Sequence, residues 1–171
     1  ESRPMRRIHP AGLYEAIVEP NGTPFNAQAS IHDPRNYMLR VTNYSGETKT
    51  MHDPYAFEPM LTDYDLHLLA EGTHWKSYER LGAHERTVGG VKGVNFAVWA
   101  PNAESIGIIG DFNGWNKQTH PLAARTDDSG IWQGTVPGIP IGSPYKFHIV
   151  SRHHGYAVDK ADPFAVCSDP P

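Results

Sequence analysis

Sixteen glycines and fifteen prolines recur every few residues along this 171-residue chain and leave room for only one good helix. That stretch runs from Leu61 to about Glu71. Thr62 can cap it with Asp65 three residues on, Leu66 and Leu69 give an apolar stripe, and Gly72 stops it. After it come four β-branched or aromatic runs: Val94–Ala100, Ser105–Gly110, Ile131–Val136 and Tyr145–Ser151. Pro101-Asn102, Asn113-Gly114, Asp127-Asp128-Ser129-Gly130 and Pro137-Gly138 punctuate them as turns, which is the spacing of a β-sandwich. In the first run Val94, Phe96 and Val98 point one way while Ala97 and Trp99 point the other. This pattern predicts a strand covered on both faces.

At 171 residues and 19.0 kDa the chain fits one large domain or two small ones, and an internal comparison favours two. Gly12-Leu-Tyr-Glu-Ala-Ile-Val matches Gly130-Ile-Trp-Gln-Gly-Thr-Val in pattern. Tyr37-Met-Leu-Arg-Val answers Tyr145-Lys-Phe-His-Ile, and Asp53-Pro-Tyr-Ala-Phe answers Asp162-Pro-Phe-Ala-Val, in the same order and at similar separations. The second half of one sandwich therefore occurs twice, the competing reading being chance likeness between short β-hairpins. The first copy lacks a counterpart of residues 91–116, which predicts only a partial module over residues 10–57.

Composition narrows the partners. With 39% hydrophobic residues and a formal charge of -4, the chain contains no apolar run near the ~18 residues of a membrane span, so a membrane role is not expected. Its 15 Lys and Arg are scattered among 19 acidic residues, unlike the clustered positive patch that duplex nucleic acid requires. Cys167 is alone, which excludes an internal disulfide framework and agrees with a cytoplasmic setting. Glu1-Ser-Arg-Pro-Met-Arg-Arg has no apolar segment after it to make a signal peptide, and residue 1 is not Met. A piece of a longer chain is the expectation.

Five motifs carry a family resemblance: Asp53-Pro-Tyr-Ala-Phe, Glu71-Gly-Thr-His, Tyr78-Glu-Arg-Leu-Gly-Ala-His, Phe96-Ala-Val-Trp-Ala-Pro-Asn-Ala and Gly110-Asp-Phe-Asn-Gly-Trp. Together they resemble the N-terminal, non-catalytic half of a bacterial-type glycogen branching enzyme. The resemblance implies a mostly β chain: a partial immunoglobulin-like module over residues 1–60, a connecting helix and junction over 61–84, and a family-48 carbohydrate-binding module over 85–171. It implies α-1,4-glucan or glycogen as a partner, together with the catalytic barrel of the same polypeptide, which would lie beyond Pro171. A half-domain with open edges could also self-associate.

No catalytic residue is expected here. Retaining glycosyl transfer needs two carboxyl groups about 5–5.5 Å apart across one bond. The acidic pairs present read instead as a helix start, Asp63 and Asp65, and a turn, Asp127 and Asp128. No cofactor is implied. The histidines His67/His74 and His148/His153/His154 lack the spacing of structural zinc sites, so no metal is expected. By resemblance, His84 is a hydrogen-bonding residue at the junction with the barrel.

Glucan binding needs an exposed flat ring beside hydroxyl-binding polar groups. Trp115 follows the Asn113-Gly114 turn and is either a loop-edge platform or an ordinary core residue. The resemblance favours the platform, since this motif's aromatic walls the glucan site in family-48 modules. Lys146 alternates with Tyr145 and Phe147, so its ammonium points outward, either to solvent or, as the family's glucan-contacting lysine, to sugar. Tyr156 stands about where the β subunit of AMP-activated protein kinase has a second stacking tryptophan, and stacks over less area. Trp75, Trp99 and Trp132 read as packing residues. Trp75, Tyr78 and Leu81 are also expected to form an apolar patch left open by the missing barrel. Two other functions stay open: a structural scaffold with a vestigial sugar site, and a regulatory glycogen-targeting module. Tyr78–His84 argues against the second.

Overall fold

The computed structural model describes residues 3–10, 12–16, 37–53, 57, 59–88 and 90–167. The chain divides into two units, Glu1–Ser30 and Ile31–Pro171. In the first, β1 (Arg6–His9) and β2 (Leu13–Glu15) make an exposed antiparallel hairpin. Gly12 turns it at φ 96°, and Arg6 bridges Glu15 at 3.1 Å.

The second unit begins with another hairpin, β3 (Leu39–Thr42) and β4 (Thr48–Met51), whose turn is held by the Asn43 side chain accepting from the Glu47 amide at 2.9 Å. The helix α1 then spans Asp63–Glu71, with the ends that the sequence predicts. Thr62 and Asp65 cap each other reciprocally, and Gly72 closes the last turn at φ 72°, a left-handed conformation that a Cβ would penalise. Asp65 is buried. One of its oxygens takes the Thr62 amide at 2.9 Å and hydroxyl at 2.7 Å, and the other takes His74 at 3.0 Å and Arg80 at 3.2 Å. Burial pushes its pKa up, but these four bonds more than offset that and hold it well below the ordinary carboxylate range.

Seven strands follow: β5 (Gly82–Val88), β6 (Val91–Trp99), β7 (Ala103–Gly110), β8 (Ala123–Ala124), β9 (Ile131–Pro137), β10 (Tyr145–Ser151) and β11 (Ala157–Lys160). They form two antiparallel sheets, ordered β5-β6-β9-β8 and β11-β10-β7. The chain is mostly β, and these sheets make the expected sandwich. Phe96 and Val98 from β6, Trp132 and Val136 from β9, Ile106 and Ile108 from β7 and Phe147 from β10 fill the space between them. Each such side chain stabilises the fold by about 1.5–3 kcal/mol through removal from water.

The outer face of the four-stranded sheet is only partly covered. Leu61, Leu81, Ala97 and Ile131 form a second buried cluster, with Leu66 and Leu69 of α1 packed on it. Here the structure corrects three expectations. Trp99 lies two residues beyond Ala97 on the same face, past the cover of α1, and is 64% exposed rather than packed. Leu81 is 4% exposed, because α1 and Leu61 cover it. Trp75, also read as a packing residue, is 91% exposed, as the apolar-patch reading requires, and Tyr78 is exposed beside it in sequence. Strand β5 begins inside the segment read as a junction, and the His84 ring bonds the Leu81 carbonyl at 3.0 Å.

Candidate functional site

The three-stranded sheet positions the candidate residues. Along β10, Tyr145, Phe147 and Ile149 face the core while Lys146, His148 and Val150 face out. Lys146 pairs with Ile109 of β7, and His148 stands in one row between Gly107 of β7 and Asp159 of β11. Tyr145 is matched with Gly110, the last residue of β7, where the chain leaves the sheet.

A tight loop follows. Asp111–Asn113 form one 3₁₀ turn, Gly114 is left-handed at φ 60°, and Trp115 is left-handed too at φ 59°. A non-glycine residue there costs on the order of 1–3 kcal/mol, so the surroundings must hold it. Two bonds do so: the Trp115 amide donates to the Gly110 carbonyl at 2.9 Å, and its indole N–H donates to Asp111 at 2.8 Å. The Asn113 side chain accepts from the Gly110 amide at 3.0 Å and donates to the Ile108 carbonyl at 2.9 Å, locking the loop to β7. The result is an indole 41% exposed at a fixed place on the loop. Trp115 is thus no core residue. Lys146, one register position from the Tyr145–Gly110 row, is exposed with its ammonium side outward, as its alternation predicts.

Tyr156 lies elsewhere. Its carbonyl accepts from the Ser151 amide at 2.8 Å, at the opposite end of β10. Five residues separate Ser151 from Lys146, roughly 17 Å along the strand. The tyrosine ring is exposed, but the fold does not bring it to Trp115 and Lys146 as one cluster.

Between the two ends stands a polar group that sequence reasoning missed. Asp159 accepts from the His148 ring at 2.6 Å through one oxygen and from the Lys117 ammonium at 3.2 Å through the other. The His148 bond first, and Lys117 after it, hold the Asp159 carboxyl below its ordinary pKa against an opposing effect of burial. Lys117 reaches across because its loop lies on the sheet: a Cβ on Gly107 would come within 3.1 Å of the Lys117 carbonyl oxygen. His148 was legible as a same-face neighbour of Lys146, two residues on. Its pairing with Asp159 depends on the β10–β11 register, and that of Lys117 on the loop path.

Comparisons with known proteins agree with the sheet geometry. The model of carbohydrate-binding module 48, described as the isoamylase N-terminal domain, matches residues 80–165. The 1,4-alpha-glucan branching enzyme GlgB of Rhodopirellula baltica is 43% identical over 169 residues, 99% of this chain and 22% of that protein. The enzyme of the same name from Paramagnetospirillum magneticum is 42% identical over 167 residues, 98% of this chain and 21% of that protein. That from Thermosynechococcus vestitus is 44% identical over 147 residues, 85% and 19% respectively. The chain spans about a fifth of the length of the curated relatives it matches.

Proposed function

We propose that this chain, which belongs to the carbohydrate-binding module 48 family, holds α-1,4-glucan or glycogen for a 1,4-alpha-glucan branching enzyme of which it forms the N-terminal part. Trp115 provides the stacking platform and Lys146 donates to glucose hydroxyls, with Tyr156 contributing least. The observation that carries this reading is the Trp115 indole, fixed by its bond to Asp111 and left open to solvent, on a loop whose Trp115 amide is tied to Gly110, one register step from the Ile109–Lys146 row. An immobilised ring loses little entropy on binding, so more of its stacking energy appears as affinity. In the intact enzyme such a surface raises the local concentration of glucan chains near the site of transfer.

In this reading residues 85–171 are the glucan-binding module, 61–84 join it to the preceding segment, and 1–60 are a partial immunoglobulin-like module. The part of the polypeptide that carries out 6-glycosyl transfer is a partner of this region. Trp75 and Tyr78, close together in sequence, and Trp99, past the cover of α1, support that second role, because large exposed rings suit a covering surface. Self-association of the isolated chain through the same rings is the alternative. Affinity electrophoresis of the chain in gels with and without glycogen tests the binding reading. Retarded migration that disappears in Trp115→Ala supports it, and unretarded migration of the wild type removes it in favour of the scaffold.

A further inference from the structure

We infer that Lys117 and Asp159 are themselves glucan contacts, forming with Lys146 the hydroxyl-reading side of the surface on which Trp115 is the stacking platform. This rests on the glucan-binding reading and assigns it two residues more.

The need follows from the chemistry of the ligand. Each glucose hydroxyl is both a donor and an acceptor, whereas the Lys146 ammonium is a donor only and the Trp115 indole N–H is already committed to Asp111. A surface built of these two alone would leave hydroxyl protons without an acceptor. Asp159 supplies one. Among the described residues each carboxylate oxygen has one partner, His148 or Lys117, and each retains a further lone pair. Lys117 in turn uses one of its three ammonium protons on Asp159 and keeps two. Both side chains remain partly open, 51% for Lys117 and 36% for Asp159, while His148 behind them is nearly closed off at 13%.

Placement follows from the register. The Gly107–His148–Asp159 row lies two residues along β10 from Lys146, roughly 7 Å, on the same outward face. Lys117 is two residues after Trp115 in the loop that Asn113 pins to β7, so platform and ammonium are carried by one fixed segment, while Asp159 is fixed on β11. An ordinary surface ion pair would have neither anchor. The close approach of the Lys117 backbone to Gly107 and the His148 bond beneath Asp159 hold the pair before ligand arrives. The same pair crosses the face between Lys146 and the Ser151 end of β10, which separates Tyr156 from the rest.

Isothermal titration of the 171-residue chain with maltoheptaose, and with analogues lacking single hydroxyls, tests the assignment. Asp159→Ala is expected to weaken binding about fivefold or more, and Lys117→Ala about threefold, with thermal unfolding unchanged. At least one deoxy analogue that binds the wild type more weakly should lose that penalty in Asp159→Ala, which a merely structural role would not produce. If Asp159→Ala unfolds, Asp159→Asn keeps the shape and one acceptor oxygen, and an intermediate loss is expected. Wild-type affinity in the folded variants, with binding still dependent on Trp115, overturns the assignment and leaves the glucan reading intact. No wild-type binding, or binding that survives Trp115→Ala, overturns both.

Discussion

The Tyr145 hydroxyl donates to the Asp162 carboxylate seventeen residues on, and Tyr37 makes the same bond to Asp53, sixteen residues on, at 2.5 Å. In each case the tyrosine precedes the first strand of a hairpin or opens it, and the aspartate follows the second strand: β3–β4 for Tyr37 and β10–β11 for Tyr145. The sequence likeness between the two segments is therefore matched by a hydrogen bond, a stronger sign of repetition than short apolar runs. The two copies differ in depth. Tyr145 packs edge-on against Phe96 and Phe147, and Asp162 is buried and also caps the Phe164 amide at 2.8 Å. Asp162 and Phe164 press on Gly82, where a Cβ would meet them at 3.2 and 3.0 Å, so two of the recognisable motifs meet in space.

Tyr145→Phe should accordingly cost about 1–3 kcal/mol, since it leaves a buried carboxylate short of one donor, and Tyr37→Phe should cost less. Burial first, then the hydrogen bond and charge of Asp53, push the Tyr37 pKa up to about 12, and burial with Asp162 pushes Tyr145 up as well. A raised phenol stabilises the fold fully below about pH 10 and loses that contribution as pH climbs through the folded value. Urea unfolding at rising pH, followed alongside tyrosinate absorbance, should show stability falling above pH ~10 and a shallower fall in Tyr145→Phe. Equal stability of the variant at neutral pH would show the bond to be dispensable.

Asp65→Asn should destabilise by about 3 kcal/mol, because it weakens the cap of α1 and leaves His74 and Arg80 beside a neutral group. The sign of its pH dependence is opposite to that of the tyrosines. A carboxyl with a lowered folded pKa contributes fully above its unfolded value of ~3.9 and loses the contribution as pH falls through the folded one. The gap in melting temperature between wild type and Asp65→Asn should thus be widest near neutrality and narrow progressively as pH falls below ~4. A gap independent of pH would mean that charge plays no part.

Gly110→Ala tests how the loop is seated. A Cβ at this extended residue would run into the Pro144 carbonyl and lie 2.6 Å from the Phe112 ring, and backbone cannot yield as a side chain can. Overpacking of this kind costs about 1–3 kcal/mol. Because the Gly110 carbonyl receives the Trp115 amide, glucan affinity should fall along with the melting temperature. Unchanged affinity in a folded variant would show that Trp115 is placed independently of that bond.

Local signals were legible and non-local ones were not. The capping pair Thr62 and Asp65, the stop at Gly72 and the strand Tyr145–Ser151 could be read because each depends on neighbours in sequence. The partners of Asp65, His74 and Arg80, lie nine and fifteen residues away and had no such signal. Strand β5 was missed because its outward residues, Glu85 and Thr87 among them, break no turn pattern and bury little. Trp99 shows the limit of alternation: period two fixes which face a residue takes, but the extent of α1 decides whether that face is covered. At the candidate site, the outward turn of Lys146 was readable from its neighbours, whereas the Lys117–Asp159 contact depends on a loop path and a hairpin register.

Trp115 offers the sharpest discrimination between a binding platform and a packing residue, because its backbone and its ring pull a substitution in opposite directions. Trp115→Gly relieves a left-handed conformation that glycine adopts freely, worth on the order of 1 kcal/mol or more, while giving up the packing of the half of the ring that is not exposed. The net change in stability should stay within about 1 kcal/mol. Trp132→Ala, from the buried core, should cost about 3–5 kcal/mol. Binding should show the reverse order. Loss of the stacking ring, in Trp115→Gly or Trp115→Ala, should cost about 2 kcal/mol or more, roughly 30-fold in affinity for a maltooligosaccharide. Lys146→Ala removes a solvent-exposed hydrogen bond worth about 0.5–1.5 kcal/mol and should weaken binding less. Tyr156→Ala should matter least, since its ring lies at the far end of β10. Calorimetric titration paired with thermal unfolding on the same preparations reads both quantities. A Trp115→Gly variant that melts far below the wild type would return this residue to the core, and one that binds glucan as the wild type does would place the sugar elsewhere on the module.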